Sequence, residues 1–381
     1  MPLTDAELAR TYAPIIRHEI CSQAPHKDFI MRFDFDRPEN EEDAAPYWNW
    51  RDPIKKRRIE LLDAGNPAFG ELERGEHGCV IVDSGGMRHC LDLRAYVYYA
   101  VARTATHDFI SYAWYHPTDW KGIGGHSNDM EGAMVVAEKD GGRVVIAAAI
   151  EHLDINAGRV DERGMPMTDG RAHENEVYLW YRNPQRPLLH VETRGHGVWL
   201  NALERLGEDD WHGTVEYQPL PEAQGGHTPP PFGEDAEGVY RDRDARVKRA
   251  YELLPMREEE GEVERFSFWE QFKDIRPDGS IGMNPPWLWT HSGDVGLADK
   301  GEWFLDPAFY YAYRRGSLGR RFGDLRVHED VNAGRWSLRY TANVYLRYRL
   351  DAEPAFLPER GARMLGRAIE RKYQRRGEYF E

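Results

Sequence analysis

Asp129 and Glu131 stand two residues apart in GGHSNDMEGAMVVAEKD, where a run of Val, Ala and Met begins. That run reads as a β-strand, and side chains alternate along a strand, so both carboxylates point to one face. His126 comes just before them, after Gly122, Gly124 and Gly125, and Asp119 ends the preceding run DFISYAWYHPTD. Two neighbouring strand ends thus offer Asp119, His126, Asp129 and Glu131 at one rim. Clustered carboxylates raise one another's pKa unless a cation neutralises them. Three carboxylates and one imidazole suit a hard divalent ion that keeps several waters: magnesium, calcium or manganese. A polar strand-end loop with surface acids would carry the same residues.

Other chemistry has weaker support. There is no GxSxG, HExxH or P-loop, and Asp83-Ser84-Gly85-Gly86 is a turn with no helix opening after it. Cys21, Cys79 and Cys90 have neither zinc spacing nor the count of a disulfide framework. Cys79 and Cys90 could bridge a hairpin, but buried thiols are the preferred reading. His152, at the end of RVVIAAAIEH, either faces the same cavity or is structural. His116, beside Pro117, lines the cavity or caps its strand. His190 reads as structural and His107-Asp108 as a solvated turn.

The stretch Tyr112-Ala113-Trp114-Tyr115, Pro117, Asp119, Gly125-His126, Asp129 and Glu131 resembles the hallmark of the necrosis- and ethylene-inducing-type proteins. Their heptapeptide GHRHDWE, preceded by YxWYxPxD, stands here as GHSNDME. LARTYAPII, RPLLHVETRGHGVW, WHGTVEYQP, PPWLW and GEWFLDPAF are similar to a larger related group that includes vacuolar-sorting-type proteins. The resemblance is specific over residues 109–137 and diffuse elsewhere. It implies a β-sandwich whose rim cavity holds a divalent cation. Asp119 and Asp129 would be direct ligands, His126 and Glu131 would act directly or through water, and His196 resembles a second cavity histidine. Ser127, Asn128 and Met130 depart from the heptapeptide, and the chain is longer than the compact toxins.

The elements that must position these residues are mostly strands. Thr4 caps a short first helix, with Asp5 and Glu7 at its positive end. FIMRFDFD alternates as a half-buried strand through Phe29, Met31, Phe33 and Phe35. Residues 78–200 carry many short Val-, Ile- and aromatic-rich runs, with a hairpin signal at Asp140-Gly141-Gly142. Val239–Leu254 has helical spacing, residues 335–350 read as a late strand, and Arg360–Tyr379 as a terminal basic helix. The fold expected is an all-β core, an antiparallel β-sandwich with helical and loop additions at the C-terminal side. Residues 1–220 would hold the sandwich core with an N-terminal extension. Residues 221–381 would supply the additions and a late strand packed on the same core.

The 381 residues carry a net charge of −15, with 65 acidic against 50 basic side chains. That argues against a nucleic-acid partner. No run is long and apolar enough for a transmembrane helix, and the start lacks a secretory signal pattern. The expectation is a cytoplasmic protein, or one exported without a recognisable signal. Three functions compete. The first is a cation-dependent protein binding a glycan, a lipid headgroup or a small molecule. The second is a metal-dependent hydrolase or lyase with Glu131 or His196 as catalytic base. The third is a purely structural metal site.

Overall fold

The computed structural model describes residues 2–22, 25–31, 73–74, 80–84, 87–91, 93–119, 126–151, 154–160, 166–168, 186–200, 213–221, 223, 225–231, 238–242, 246–256, 274–275, 281–283, 304–308, 337, 339–344 and 346. Helix α1, Asp5–Tyr12, starts where the sequence places it. The Thr4 amide donates to Glu7 Oε2 at 2.8 Å, and the Glu7 amide donates to Thr4 Oγ1 at 3.2 Å. This reciprocal box satisfies two amides that the helix itself leaves unbonded. Leu8, Ala9 and Tyr12 form its buried side.

In chain order the strands are β1 (Ile15–Ile20), β2 (Glu73–Arg74), β3 (Val80–Ser84), β4 (Met87–Leu91), β5 (Ala95–Thr104), β6 (His107–Asp119), β7 (His126–Glu138), β8 (Val144–Glu151) and β9 (Asp154–Val160). They continue with β10 (Pro166–Thr168), β11 (Leu188–Val191), β12 (Val198–Leu200), β13 (Gly213–Pro219), β14 (Arg246–Pro255), β15 (Asp274–Ile275), β16 (Ile281–Met283) and β17 (Tyr340–Ala342). A four-residue helix α2, Pro25–Asp28, follows β1. Among the described residues twelve strands form one sheet in the order β10-β9-β8-β7-β6-β5-β14-β13-β1-β11-β12, with β17 on β5. β12, at one end of this order, packs back against β8 and β9 near the other. The sheet therefore curls into a nearly closed, barrel-like arrangement.

The antiparallel sandwich is not what forms. β1 runs parallel to β11, and β14 runs parallel to both β13 and β5. Alternating apolar residues report that one face is buried; they do not encode the direction of a neighbour. Val239–Leu254 is also different from the helix expected there. Gly238 and Val239 are helical, and Arg246–Pro255 is the central strand β14. Val247 and Tyr251, four residues apart, fit either period, and Leu254 fits the helical one. A slot between β13 and β5 offers backbone partners on both edges, and that tertiary pairing decides.

The strand expected over FIMRFDFD is absent at its described end. Phe29, Ile30 and Met31 are all buried, and among the described residues their ladder contact is a single bridge from Met31 to Tyr115. Positions 32–36 lie outside the described residues, as do His152, Cys79 and the terminal segment from Arg360. Of the late strand, Tyr340–Ala342 is seen, on the edge of β5 beyond the part that β14 covers. β3 and β4 do pair as a hairpin, with Ile81 opposite Cys90.

The longest ladder is β6–β7, in register from His107–Glu138 to Asp119–His126. It continues into β8 through the Asp140-Gly141-Gly142 turn, where Gly141 has φ 79° and Gly142 φ 66°. Left-handed values come easily only without a Cβ, which is why this turn spells its position in the sequence. The interior is aromatic: Tyr98, Tyr112, Trp114, Tyr115, Tyr217 and Tyr251 are fully buried. Two of them tie the N-terminal segment to the sheet. Tyr112 Oη donates to the Ala9 carbonyl at 2.9 Å, and Tyr251 Oη to that of Pro14 at 2.7 Å. No helix among the described residues is long and apolar enough to cross a membrane.

Candidate functional site

The β6–β7 ladder sets the positions of the expected site residues. Trp114 faces Glu131, His116 faces Asp129, and Asp119 faces His126 at the end of the hairpin. Asp129 is 6% exposed and Glu131 4%, so the two-residue spacing does put both carboxylates on an inward face. Asp119 is partly exposed, and His126 is placed by its backbone. The Asp119–His126 pair lies three ladder positions beyond the His116–Asp129 pair, at the same hairpin end.

What the structure gathers around Asp129 is a set of histidines from separate elements. His116 comes from β6, His18 from β1 and His196 from the turn between β11 and β12, and none has any exposure. One ring nitrogen of each lies within 4.8 Å of the others. The rings of His116 and His196 stack, with centroids 3.9 Å apart. His18 meets both edge-on, at 4.9 Å from His116 and 5.5 Å from His196.

The turn that carries His196 is held by Asp28, at the end of α2. Its carboxylate accepts from the Cys21 amide at 2.8 Å, Thr193 Oγ1 at 2.8 Å and the Arg194 amide at 3.0 Å. Two residues of the turn, Arg194 and His196, adopt left-handed φ of 69° and 53°. Such conformations persist where surrounding contacts over-determine them, and Asp28 supplies three of those contacts. Glu19 adds to the anchor, receiving His190 Nε2 at 2.8 Å and the Thr193 amide at 3.3 Å. His190 is structural, as read.

The three imidazoles differ in charge. His196 donates from Nδ1 to Asp129 Oδ2 at 2.9 Å and from Nε2 to Asp28 Oδ1 at 3.2 Å. Burial alone would lower its pKa, but the hydrogen bonds and charges of the two carboxylates outweigh that and hold it at about 9. It is an imidazolium at neutral pH. Burial works against the Asp28 carboxylate too; the bond from His196 and its charge prevail and hold its pKa below the usual value.

His18 and His116 are held well below the ordinary imidazole range, chiefly by burial and then by neighbouring imidazoles. Each directs Nδ1 at a backbone carbonyl: His18 at Glu19, 2.7 Å, and His116 at Phe29, 3.3 Å. A carbonyl only accepts, so Nδ1 carries the proton and Nε2 keeps its lone pair. Both Nε2 atoms are buried without a hydrogen-bond partner.

Sequence reasoning did not single out His18 or Asp28. The signal for His18 was its place between Ile16 and Ile20, on the buried alternate positions of β1. Asp28 carries no such signal, because its role depends on a turn 166 residues away. The His107-Asp108 reading is also overturned. Both are nearly buried, and Asp108 lies 3.8 Å from Lys139 and 4.0 Å from Arg103. A strand start covered by its neighbours looks like a turn when read one residue at a time.

No protein-family profile and no curated protein matches the chain. Among solved structures it is similar to necrosis and ethylene inducing protein 2 from the causal agent of cocoa's witches' broom disease. The identity is 16% over 50% of this chain and 64% of that one, with a TM-score of 0.24. The chain thus spans just under two thirds of that protein's length. It is also similar to the non-toxic HaNLP3 protein, at 12% identity over 53% of this chain and 75% of that one, TM-score 0.24. A third is NLPPya, solved in complex with glucosamine, at 19% identity over 41% and 72%, TM-score 0.21.

Proposed function

We propose that the protein is a divalent-cation-dependent binding protein whose cavity, at the end of the β6–β7 hairpin, takes a sugar or a phosphorylated headgroup. Asp129 and Glu131 would anchor a magnesium, calcium or manganese ion, with Asp119 and His126 completing its shell directly or through water. The observation that carries this is the pair of carboxylates on one face of β7, 6% and 4% exposed. Carboxylates withdrawn this far from water need positive charge beside them. The imidazolium of His196 lies between Asp129 and Asp28, and a divalent ion would add charge on the side of Glu131. An oxygen-rich shell that retains waters is what hard cations take, and exchangeable waters leave room for a hydroxyl or phosphate oxygen of a ligand. The ligand class follows the motif resemblance at Asp119, His126, Asp129 and Glu131.

The test is a glycan and headgroup binding screen on the full chain, with magnesium or calcium and again with chelator, alongside Asp119→Asn and Glu131→Gln. Binding that needs the ion and falls in both variants is the expected result. Binding indifferent to chelator and to both substitutions would discard the reading.

A second reading is a metal-dependent hydrolase or lyase in the same cavity. One observation favours it: His196 holds two ring protons beside Asp129. It would act as the general acid, with Glu131 as the base. Metal-dependent turnover of a glycoside or phosphoester, as opposed to stoichiometric binding, separates the two.

A further inference from the structure

We propose that His18, His116 and His196 form a second, chemically different cation site inside the barrel, selective for a borderline ion of the zinc class. This goes beyond the rim reading and shares no ligand with it. Three features build the case.

The first is convergence. Three strands or turns far apart in sequence each contribute one fully buried imidazole, and one nitrogen of each falls within 4.8 Å of the other two. Apolar side chains would fill that space at lower cost than three polar rings. The second is the pair of orphaned atoms. His18 Nε2 and His116 Nε2 are buried acceptors with nothing to accept from. Leaving a buried polar atom without a partner is costly, and a bound cation removes the penalty for both.

The third is the outer shell. A metal-bound histidine ordinarily gives its other ring N–H to a carbonyl or carboxylate, which fixes tautomer and orientation. His18 and His116 already do this through the carbonyls of Glu19 and Phe29. His196 has a carboxylate on each nitrogen, Asp129 on one side and Asp28 on the other. Giving up one proton to solvent, and with it one of those bonds, turns it into the third neutral ligand with a carboxylate still behind it. Three neutral imidazoles suit zinc, cobalt or copper over magnesium or calcium. A three-histidine set also leaves the fourth position of a tetrahedral ion to water or to a ligand oxygen.

Cobalt(II) is the probe, because its tetrahedral, nitrogen-bound form absorbs visible light far more strongly than its octahedral, oxygen-bound form. Chelator-stripped full-length protein should bind one cobalt ion per chain with the intense tetrahedral spectrum, and zinc should displace it. His18→Ala and His116→Ala should each lose more than the roughly 10–100-fold in affinity that removal of an outer-shell partner costs, and Asp28→Asn should lose about that much. Asp119→Asn should leave the spectrum in place while weakening magnesium or calcium binding at the rim, so the two sites fail separately. X-ray absorption on the zinc-loaded parent counts imidazoles without any variant and should find three. A shell of oxygens alone, no tetrahedral cobalt spectrum, or an unchanged spectrum in folded His116→Ala overturns the site.

Discussion

His196 Nδ1 and Asp129 Oδ2, 67 residues apart in sequence, meet at 2.9 Å with neither side chain open to water. This contact joins the turn before β12 to β7, across the interior of the barrel. On the other side of the ring Asp28 receives the second proton. Removing the imidazolium takes away the positive charge between two buried carboxylates. His196→Ala should therefore destabilise the chain by about 3–5 kcal/mol, the cost of breaking a buried pair from one side. Urea unfolding of the two proteins measures it. A loss below about 1 kcal/mol would mean that water reaches the carboxylates.

The same cluster gives a pH dependence for the metal-free protein. The His196 pKa is raised from 6.5 to about 9, so its contribution is full below pH 6.5 and fades as pH rises through 9. His18 and His116 work the other way. Their native pKa values lie well below 6.5, so below that pH the unfolded chain takes up protons that the native chain refuses. The cluster's support should peak near pH 6.5. Imidazole NMR should show both ring protons on His196 up to about pH 9, with His18 and His116 neutral throughout. Titration of His196 near 6.5 would contradict the two-carboxylate arrangement.

Cation binding at the rim should appear as stability. An ion that binds only the native chain adds about 2.7 kcal/mol at a hundred times its Kd. Magnesium or calcium should raise the parent's Tm, and Asp129→Asn, which removes a ligand oxygen and a charge, should abolish most of that gain. The β-sheet circular dichroism of the variant should stay native-like. Equal gains in parent and variant would remove Asp129 from the ligand set.

Tyr340 fastens a C-terminal segment to the sheet. Its hydroxyl donates to Asp306 Oδ1 at 2.5 Å and accepts from the Ala308 amide at 3.0 Å. Tyr340→Phe leaves both groups buried without that partner and should cost about 1–3 kcal/mol. Native-state hydrogen exchange should rise at Ala308 first. Unchanged exchange there would show that the segment is held by packing alone.

Gly225 sits at φ 97°, and a Cβ built on it would lie 2.2 Å from the Lys248 carbonyl oxygen. The next residue accepts the Ala250 amide at 2.8 Å, so the turn is stitched to β14. Gly225→Ala must move backbone, and a loss of at least about 1–3 kcal/mol is expected from the dihedral strain alone. Thermal melts decide it; an unshifted Tm would mean the turn relaxes freely.

The legible part of the molecule was its local part. Thr4 and Glu7 are three residues apart, and their capping box could be read directly. So could the Asp140-Gly141-Gly142 turn and the inward pairing of Asp129 with Glu131, because alternation fixes them. What stayed hidden depended on distant partners. β14 has a residue pattern open to helix or strand, and only β5 and β13 settle it. His18 looks like one polar residue in an apolar strand until His116 and His196 arrive beside it. Parallel pairing leaves no mark on a single strand, so the sandwich expected from alternation gave way to a mixed, nearly closed sheet.

The position of β1 in that sheet has a consequence during synthesis. Ile15–Ile20 leaves the ribosome well before its two neighbours, Leu188–Val191 and Gly213–Pro219. At about 5–20 residues per second the ribosome needs roughly 10–40 s to make the chain between them. For that interval the unpaired backbone edge of β1 and its Ile16 and Ile20 side wait for their partners, while the local β5–β8 meander can already form behind it. Nascent-chain crosslinking should find Ile16 and Ile20 shielded by a chaperone until residue 219 has emerged, and His18 reaching its two partner rings only then.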